Sequence, residues 1–336
     1  MNDLVLVTGG SGFIGEHVVS LLIKQGWAVR ILDPNPPAHP PDHHLHYTPG
    51  SILDPSAVHH AMEGVSTVIH LAAEARLWVP EKSRYRAVNV NGTEIVLGEA
   101  RARGIEKFIH VSTEAILRAK GDQGEQLIQP CGDLPPQQTM PGPYTRSKWE
   151  AERLVRDAGE KGFCAVIVYP TVPVGPGDRN WTAPTRMIDQ FAFAPPPFYL
   201  DCRLNLVPVD DVARGIVKAL VRGKRGDRFI LGGKNMYLSE FLSLIHRCGG
   251  RPPPKRKLPY ALARTVGLVS QWSSDTLIHK EPLATVEGLS LARTNLWCDL
   301  SATCSQLDLE GSSLQDAVTR TLSWIKREKG ENLNPG

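Results

Sequence analysis

The sequence predicts an α/β protein: a doubly wound parallel sheet with a smaller C-terminal lobe. Three observations carry that prediction. The chain opens with a short apolar run, Leu4-Val5-Leu6-Val7, followed at once by a glycine-rich turn and a helix-like stretch. Further continuously apolar runs recur at intervals that leave room for a crossover helix, as expected of strands buried on both faces. Past residue 169 the prolines Pro170, Pro173, Pro176, Pro184 and Pro195-Pro196-Pro197 mark a departure into a second lobe.

Taken in order, the first helix covers residues 14–25, and the second strand, residues 28–32, ends in Asp33. Residues 34–49 are crowded with proline and hold His39, His43, His44 and His46, so an exposed loop is expected there. Residues 65–71, 108–112 and 165–169 read as strands. Residues 121–143, rich in Gly, Gln and Pro, read as a long loop of the kind that serves as a lid. Residues 206–220 combine a short strand with an amphipathic helix capped by Asp210 or Asp211, and Phe229-Ile230-Leu231 before Gly232-Gly233 reads as one more strand and turn. The expected division is a dinucleotide-binding domain over 1–172, to which 205–222 return, a substrate lobe over 173–204 and 223–326, and a polar tail over 327–336.

Composition narrows the partners. With 41% hydrophobic and 22% charged residues over 336 positions, the chain is globular, one large domain with an appended lobe. A net charge of +3, with scattered basic residues apart from Lys255-Arg256-Lys257, argues against nucleic acid as a partner. The six cysteines form no C-x-x-C pair and no secretory-type segment precedes the first strand, so a reducing cytoplasm is expected. The clustered histidines lack acidic or thiol partners at ligand spacing, so no metal site is expected. No apolar stretch is long enough to span a bilayer. Residues 258–272, charged only at Arg264, are read as a helix buried under the lobe, with peripheral membrane contact as the alternative.

Three constellations carry chemistry. In Thr8-Gly9-Gly10-Ser11-Gly12-Phe13-Ile14-Gly15, Gly9, Gly12 and Gly15 allow a tight turn, close approach of backbone to a pyrophosphate, and helix-on-strand packing. Amides at the helix start then receive the phosphates. Asp33 ends the next strand where a carboxylate reaches the adenosine ribose, which favours NAD over NADP because it repels a 2′-phosphate; Arg30 on the same strand is a complication. Tyr144 and Lys148 stand four apart and share a helical face, and a cation one turn away favours the phenolate that can take a proton from a substrate hydroxyl. Ser112 and Thr113 follow an apolar strand, at the sheet end where such folds place ligands, and a hydroxyl there can hold a substrate oxygen.

Together with His70-Leu71-Ala72-Ala73, Asn89-Val90-Asn91-Gly92-Thr93 and Tyr169-Pro170-Thr171, these residues resemble the extended short-chain dehydrogenase/reductase superfamily over most of the chain. Arg76-Leu77-Trp78-Val79-Pro80, Val174-Gly175-Pro176-Gly177-Asp178, Asn205-Leu206-Val207, Asp210-Asp211-Val212-Ala213 and Ile230-Leu231-Gly232-Gly233 are similar to the hopanoid-associated epimerase/reductase, dihydroflavonol reductase and 3β-hydroxysteroid dehydrogenase groups. The resemblance implies a Rossmann domain with a small substrate lobe and a homodimer. It implies Tyr144 as general acid or base, Lys148 as its partner and ribose ligand, and Thr113, with Ser112 adjacent, as the group holding the substrate oxygen. It puts Gly9, Gly12, Phe13, Ile14 and Gly15 at the pyrophosphate, Asp33 at the ribose and Ile52 at the adenine. Leu71, Ala72 and Ala73 then follow the cofactor's middle, Pro170, Thr171 and Val172 flank the nicotinamide, and Tyr169 is also counted among the cofactor-binding residues. Asp33 departs from the basic residue common in dihydroflavonol reductases, Thr113 stands where many relatives have Ser, and Ser51 stands where an acidic residue is common.

Three functions compete. The first is a dehydrogenase or reductase acting on a secondary alcohol or ketone of a bulky ring compound of sterol or hopanoid type, with Trp78, Trp181, Phe191, Phe193, Phe198 and Tyr199 expected near an apolar pocket. The second is a nucleotide-sugar epimerase with tightly bound NAD, in which Arg186 and Arg203 grip a diphosphate. The third is a non-catalytic dinucleotide-binding scaffold.

Overall fold

A computed structural model describes residues 4–38, 43–118, 127–130, 132–294 and 297–330. The strands are β1 (Leu4–Thr8), β2 (Ala28–Asp33), β3 (Leu45–Pro49), β4 (Val65–His70), β5 (Lys107–Val111), β6 (Leu127–Ile128), β7 (Ala165–Pro170), β8 (Val172–Val174), β9 (Phe198–Tyr199), β10 (Arg203–Pro208), β11 (Arg228–Leu231), β12 (Lys234–Tyr237), β13 (Arg256–Lys257) and β14 (Trp297–Cys298). Seven of them make one sheet in the order β11-β7-β5-β4-β1-β2-β3, every pair parallel. Strand order reverses between β1 and β4, and such a switch point opens a crevice at the carboxyl ends of the strands.

The helices are α1 (Phe13–Lys24), α2 (Pro55–Ala61), α3 (Ser83–Tyr85), α4 (Gly92–Ala102), α5 (Pro143–Glu160), α6 (Ala183–Phe193), α7 (Val209–Arg222), α8 (Leu238–Arg247), α9 (Tyr260–Ser273), α10 (Val286–Arg293), α11 (Ser301–Leu307) and α12 (Leu314–Glu328). A π-helical turn, Arg86–Asn91, joins α3 to α4. Because β1, β4, β5 and β7 are apolar on both sides, each sheet face acquires its own core. Leu6, Val68, Phe108 and Ile167 pack toward α2, α4 and α5, while Val5, Val7, Ile109 and Val168 pack toward α1 and α7. A third core, with Ile188, Phe241, Ile245 and Trp324, holds the smaller lobe together around the sheet β12-β10-β8.

The chain departs from several sequence expectations. Residues 34–49 are not all loop: β3 pairs in parallel with β2, an edge position where Pro49 costs no ladder bond that the sheet needs. His39 lies outside the described residues; His43 and His44 have their rings together and His46 is in β3. The loop expected over 121–143 includes β6, which pairs in parallel with β14, while residues 121–126 and Cys131 lie outside the described residues. Neither Asp210 nor Asp211 caps α7; Pro208 precedes it, Asp210 pairs with His17 and Arg320, and Asp211 accepts from Ser312 N. At the division between domain and lobe, β11 stands in the large sheet although 223–326 were assigned to the lobe, and β10 stands in the small sheet although 205–222 were assigned to the large domain. The helix expected to be buried over 258–272 is α9, and among its residues only Ala263 and Gly267 are buried. No helix among the described residues is long and apolar enough to cross a membrane.

Candidate active site

The carboxyl ends of β1, β4, β5 and β7 open into a cleft of about 470 Å³. Its sheet side begins at the turn after β1. Gly9 has φ +72, and a Cβ there would stand 2.7 Å from the backbone of Ala72, so the first turn and the loop after β4 can approach only without a side chain. A Cβ on Gly15 would stand 2.2 Å from the Gly9 carbonyl oxygen, which makes the third glycine a packing requirement of turn on helix. Gly9, Gly12, Phe13, Ile14, Gly15, Leu71 and Ala73 line the cleft. Ala72 does not; its amide donates to Thr8 Oγ1 at 3.4 Å.

Asp33 ends β2 beside this turn, accepting from Asn35 N at 2.9 Å and Ser11 N at 3.3 Å. Burial holds its carboxyl above the usual carboxylate range, with the Asn35 and Ser11 bonds opposing. Arg30 is turned away, donating to the carbonyls of Ala61 and Glu63 at 3.0 and 2.6 Å.

Helix α5 supplies the reactive face. Pro143 starts it, and the stripe Tyr144, Ser147, Lys148, Ala151, Glu152 and Val155 is buried, so Tyr144 and Lys148 both enter the cleft. The Thr113 side chain lines the same cleft beside Tyr144. Burial pushes the Tyr144 phenol up, the Thr113 side chain opposing, while Glu287 and Glu114 push it further. Lys148 Nζ donates to the Val111 carbonyl at 2.8 Å, and burial pulls it down to about 8 against the pull of Glu152. Among the protein groups alone, therefore, the phenolate that the Tyr/Lys spacing led one to expect is disfavoured.

Of the paired hydroxyls after β5, Ser112 is committed: its Oγ donates to Glu152 Oε2 at 2.6 Å. Thr113 faces Tyr144. Pro170, Thr171 and Val172 line the cleft, whereas Tyr169 alternates to the other side of β7 and donates its hydroxyl to Glu152 Oε1 at 2.6 Å inside the core. Ile52 is also core, lying where a Cβ on Gly92 would collide with it at 2.4 Å.

The lobe side of the cleft is formed by Leu77, Met187, Leu204 and Leu291, with Arg118, Cys202 and Arg203 at its polar end. None of the six aromatics expected there lines it: Trp181, Phe191, Phe193 and Tyr199 pack in the core of the lobe, Trp78 donates to Asp275, and Phe198 is exposed. Arg203 is in the cleft, its guanidinium 4.7 Å from the Trp297 ring, but Arg186 is outside it, paired with Glu281.

Four further residues stand in or directly behind the cleft wall, and of these only Glu114, next to Thr113, is marked by the sequence pattern at the end of β5. Glu114 and Arg118 form a buried pair at 2.7 Å in the cleft wall, with Arg118 also donating to Thr294; their four-residue spacing was the available signal. Glu152, fully buried, binds Ser112, Tyr169 and Arg156. Glu287 on α10 accepts from Tyr144 N at 3.2 Å, Thr145 N at 2.7 Å and Thr145 Oγ1 at 2.7 Å, so it clasps the first turn of α5 from the lobe. No local pattern marks that contact.

A glycine turn at the switch point of a parallel sheet, facing a Tyr/Lys helix across a cleft, defines a dinucleotide-dependent oxidoreductase or epimerase of the extended short-chain type. The chain belongs to the NAD dependent epimerase/dehydratase family, whose sequence model matches residues 5–232. It is 32% identical over 332 residues to a Synechocystis sp. protein provisionally named dihydroflavonol 4-reductase, covering 97% of this chain and 95% of that one. It is 26% identical over 333 residues to sterol demethylase protein B of Methylococcus capsulatus, covering 97% and 98%. The crystal structure of gox2253 superposes with a TM-score of 0.81 at 33% identity, covering 98% of this chain and 99% of that one.

Proposed function

We propose that the protein is an NAD-dependent dehydrogenase or reductase acting on the secondary alcohol or ketone of a bulky, largely apolar ring compound of sterol or hopanoid type, and that it works as a homodimer. The observation that carries this reading is that Tyr144, Lys148 and Thr113 meet in one cleft, walled by a glycine turn on one side and by Leu77, Met187, Leu204 and Leu291 on the other. The likeness to sterol demethylase protein B supports the substrate class.

The residues present fit a dinucleotide. Gly9, Gly12, Phe13, Ile14 and Gly15 would hold the pyrophosphate and Asp33 the adenosine ribose, and the turning away of Arg30 favours NAD over NADP. Leu71 and Ala73 would follow the middle of the cofactor, Lys148 the second ribose, and Pro170, Thr171 and Val172 the nicotinamide. Ile52, Ala72 and Tyr169 act from behind, as packing. When bound, NAD supplies the acceptor or donor of hydride.

Tyr144 moves the proton. Burial keeps its phenol protonated, so in the reducing direction it gives its proton to the substrate oxygen as the carbon gains hydride; in the oxidising direction it takes the proton back. The Thr113 hydroxyl holds that oxygen and stabilises charge developing on it. Lys148, buried and held down to about 8, keeps a readily lost proton one helical turn from the phenol. Ser112 and Glu152 fix the end of β5 against α5.

A second reading, a nucleotide-sugar epimerase, is favoured by Arg203 at the polar end of the cleft, though Arg186 is unavailable as its partner. The test is a screen of the purified protein with NAD against fused-ring secondary alcohols and nucleotide sugars, following NADH absorbance and product identity. NADH formed with the ring alcohols supports the proposal. Interconversion of sugar nucleotides without net NADH would replace it with the second reading.

A further inference from the structure

The helix α9 is turned inside out. In a surface helix the apolar stripe faces the core, but here Leu262, Val266, Val269 and Trp272, spaced to share one side of α9, face outward, with Val269 62% and Trp272 61% exposed. The opposite strip is what seats it: a Cβ on Gly267 would stand 2.4 Å from Leu289 of α10, so the two helices touch closely along small residues. The apolar surface continues past the helix through Leu277, Ile278 and Leu283, the last 84% exposed, around a groove of about 530 Å³. Isolated exposed apolar residues are ordinary, whereas a contiguous patch of this kind marks an interaction surface.

Charge identifies the partner. Lys280 lines the groove, Arg264 is on α9, and Lys255 and Arg256 precede the helix, all of them exposed, whereas Lys257 is paired with Asp201 at 2.7 Å. The two acidic residues of the same segment are engaged elsewhere, Asp275 with Lys82 and Trp78, and Glu281 with Arg186. An apolar helical face with a tryptophan near its end and a rim of cations suits the boundary of an anionic bilayer, where the apolar side chains enter the acyl region and the cations meet headgroup phosphates.

We infer that this face, α9 with residues 277–283, rests on an anionic lipid surface. Helix α10 separates it from the cleft, to which α10 contributes Gly288, Leu291 and Ala292, so a docked molecule would present its cleft wall toward the bilayer. The inference concerns lipid binding and stands whether or not the substrate reading holds.

The test is flotation of the full chain with vesicles of phosphatidylcholine alone and of phosphatidylcholine with phosphatidylglycerol, at low and high salt, for the wild type, Val269→Asp/Trp272→Asp and Arg256→Glu/Lys280→Glu. The wild type should float with the phosphatidylglycerol vesicles, and high salt should reduce this. Each double variant should lose at least tenfold of the bound fraction while keeping its circular dichroism and turnover. Failure of the wild type to float, equal binding by the variants, or equal binding to neutral vesicles would overturn the proposal. So would a lipid-free dimer that Val269→Asp/Trp272→Asp splits into monomers by light scattering, because the face would then belong to a second copy of the chain.

Discussion

Replacing Glu287 with alanine should loosen the catalytic helix from the lobe. The carboxylate accepts three bonds at the start of α5, from Tyr144 N, Thr145 N and Thr145 Oγ1. Truncation leaves two buried amides without partners, at about 1–3 kcal/mol each; the Thr145 hydroxyl keeps its bond to the Gly142 carbonyl at 3.2 Å. Removing a carboxylate that burial disfavours returns part of that cost. A net loss of about 2–4 kcal/mol follows, read from denaturant unfolding. Glu287→Gln keeps an acceptor and the volume, so it should lose roughly half as much. Because α10 also lines the cleft, Glu287→Ala should raise the substrate KM and lower kcat, with NAD affinity nearly unchanged. The pH dependence has a definite sign. Burial raises the folded-state pKa of Glu287, so its contribution to stability is complete below the unfolded carboxylate range and is lost as pH rises through the folded pKa. The wild type should therefore lose ground to Glu287→Gln as pH rises. An alanine variant as stable as the wild type, with unchanged KM, would refute the clasp.

Two further predictions rest on separate groups. Asp33→Ser should shift the ratio of kcat/KM for NADP over NAD upward by about ten- to a hundredfold, since a carboxylate facing a 2′-phosphate is removed and Arg30 is not there to confuse the result; a ratio that does not move would remove Asp33 from the ribose site. His70, bonded to Thr8 Oγ1 at 2.7 Å and Thr93 Oγ1 at 2.9 Å, is pulled from 6.5 to about 3 by burial and then by Lys148. A folded pKa below the unfolded one means stability present above about pH 6.5 and lost as pH falls toward 3, up to roughly 5 kcal/mol for this group. Equilibrium unfolding between pH 7 and 4 should show that slope, and His70→Gln should flatten it; parallel curves would contradict the assignment.

What could be read from the sequence was local or periodic. The turn from β1 into α1, Asp33 at the end of β2, and the shared face of Tyr144 and Lys148 all lie within one structural unit, so spacing alone predicts them. Proline dominates the stretch before residues 45–49 and points to a loop, yet an edge strand needs little apolar content and tolerates Pro49. Contacts between segments far apart in the chain carry no such signal. Glu287 meets Thr145 across 142 positions and Glu152 meets Ser112 across 40, and neither leaves a periodic trace. The Tyr169-Pro170-Thr171 motif implies a cofactor contact for all three, yet alternation along β7 sends the Tyr169 side chain into the core while Pro170 and Thr171 line the cleft. Apolarity also fails to say which neighbour a side chain meets: Trp181 and Phe191 became core, and Val269 and Trp272 became surface.

Tyr144→Phe tests the central claim most directly, because it removes one oxygen from the cleft floor and leaves the glycine turn and Asp33 untouched. Single-turnover kinetics beside an NAD titration should show hydride transfer slowed on the order of a hundredfold or more, with NAD binding nearly the same. Transfer at the wild-type rate would contradict proton movement by this phenol, and with it the proposed chemistry of the cleft.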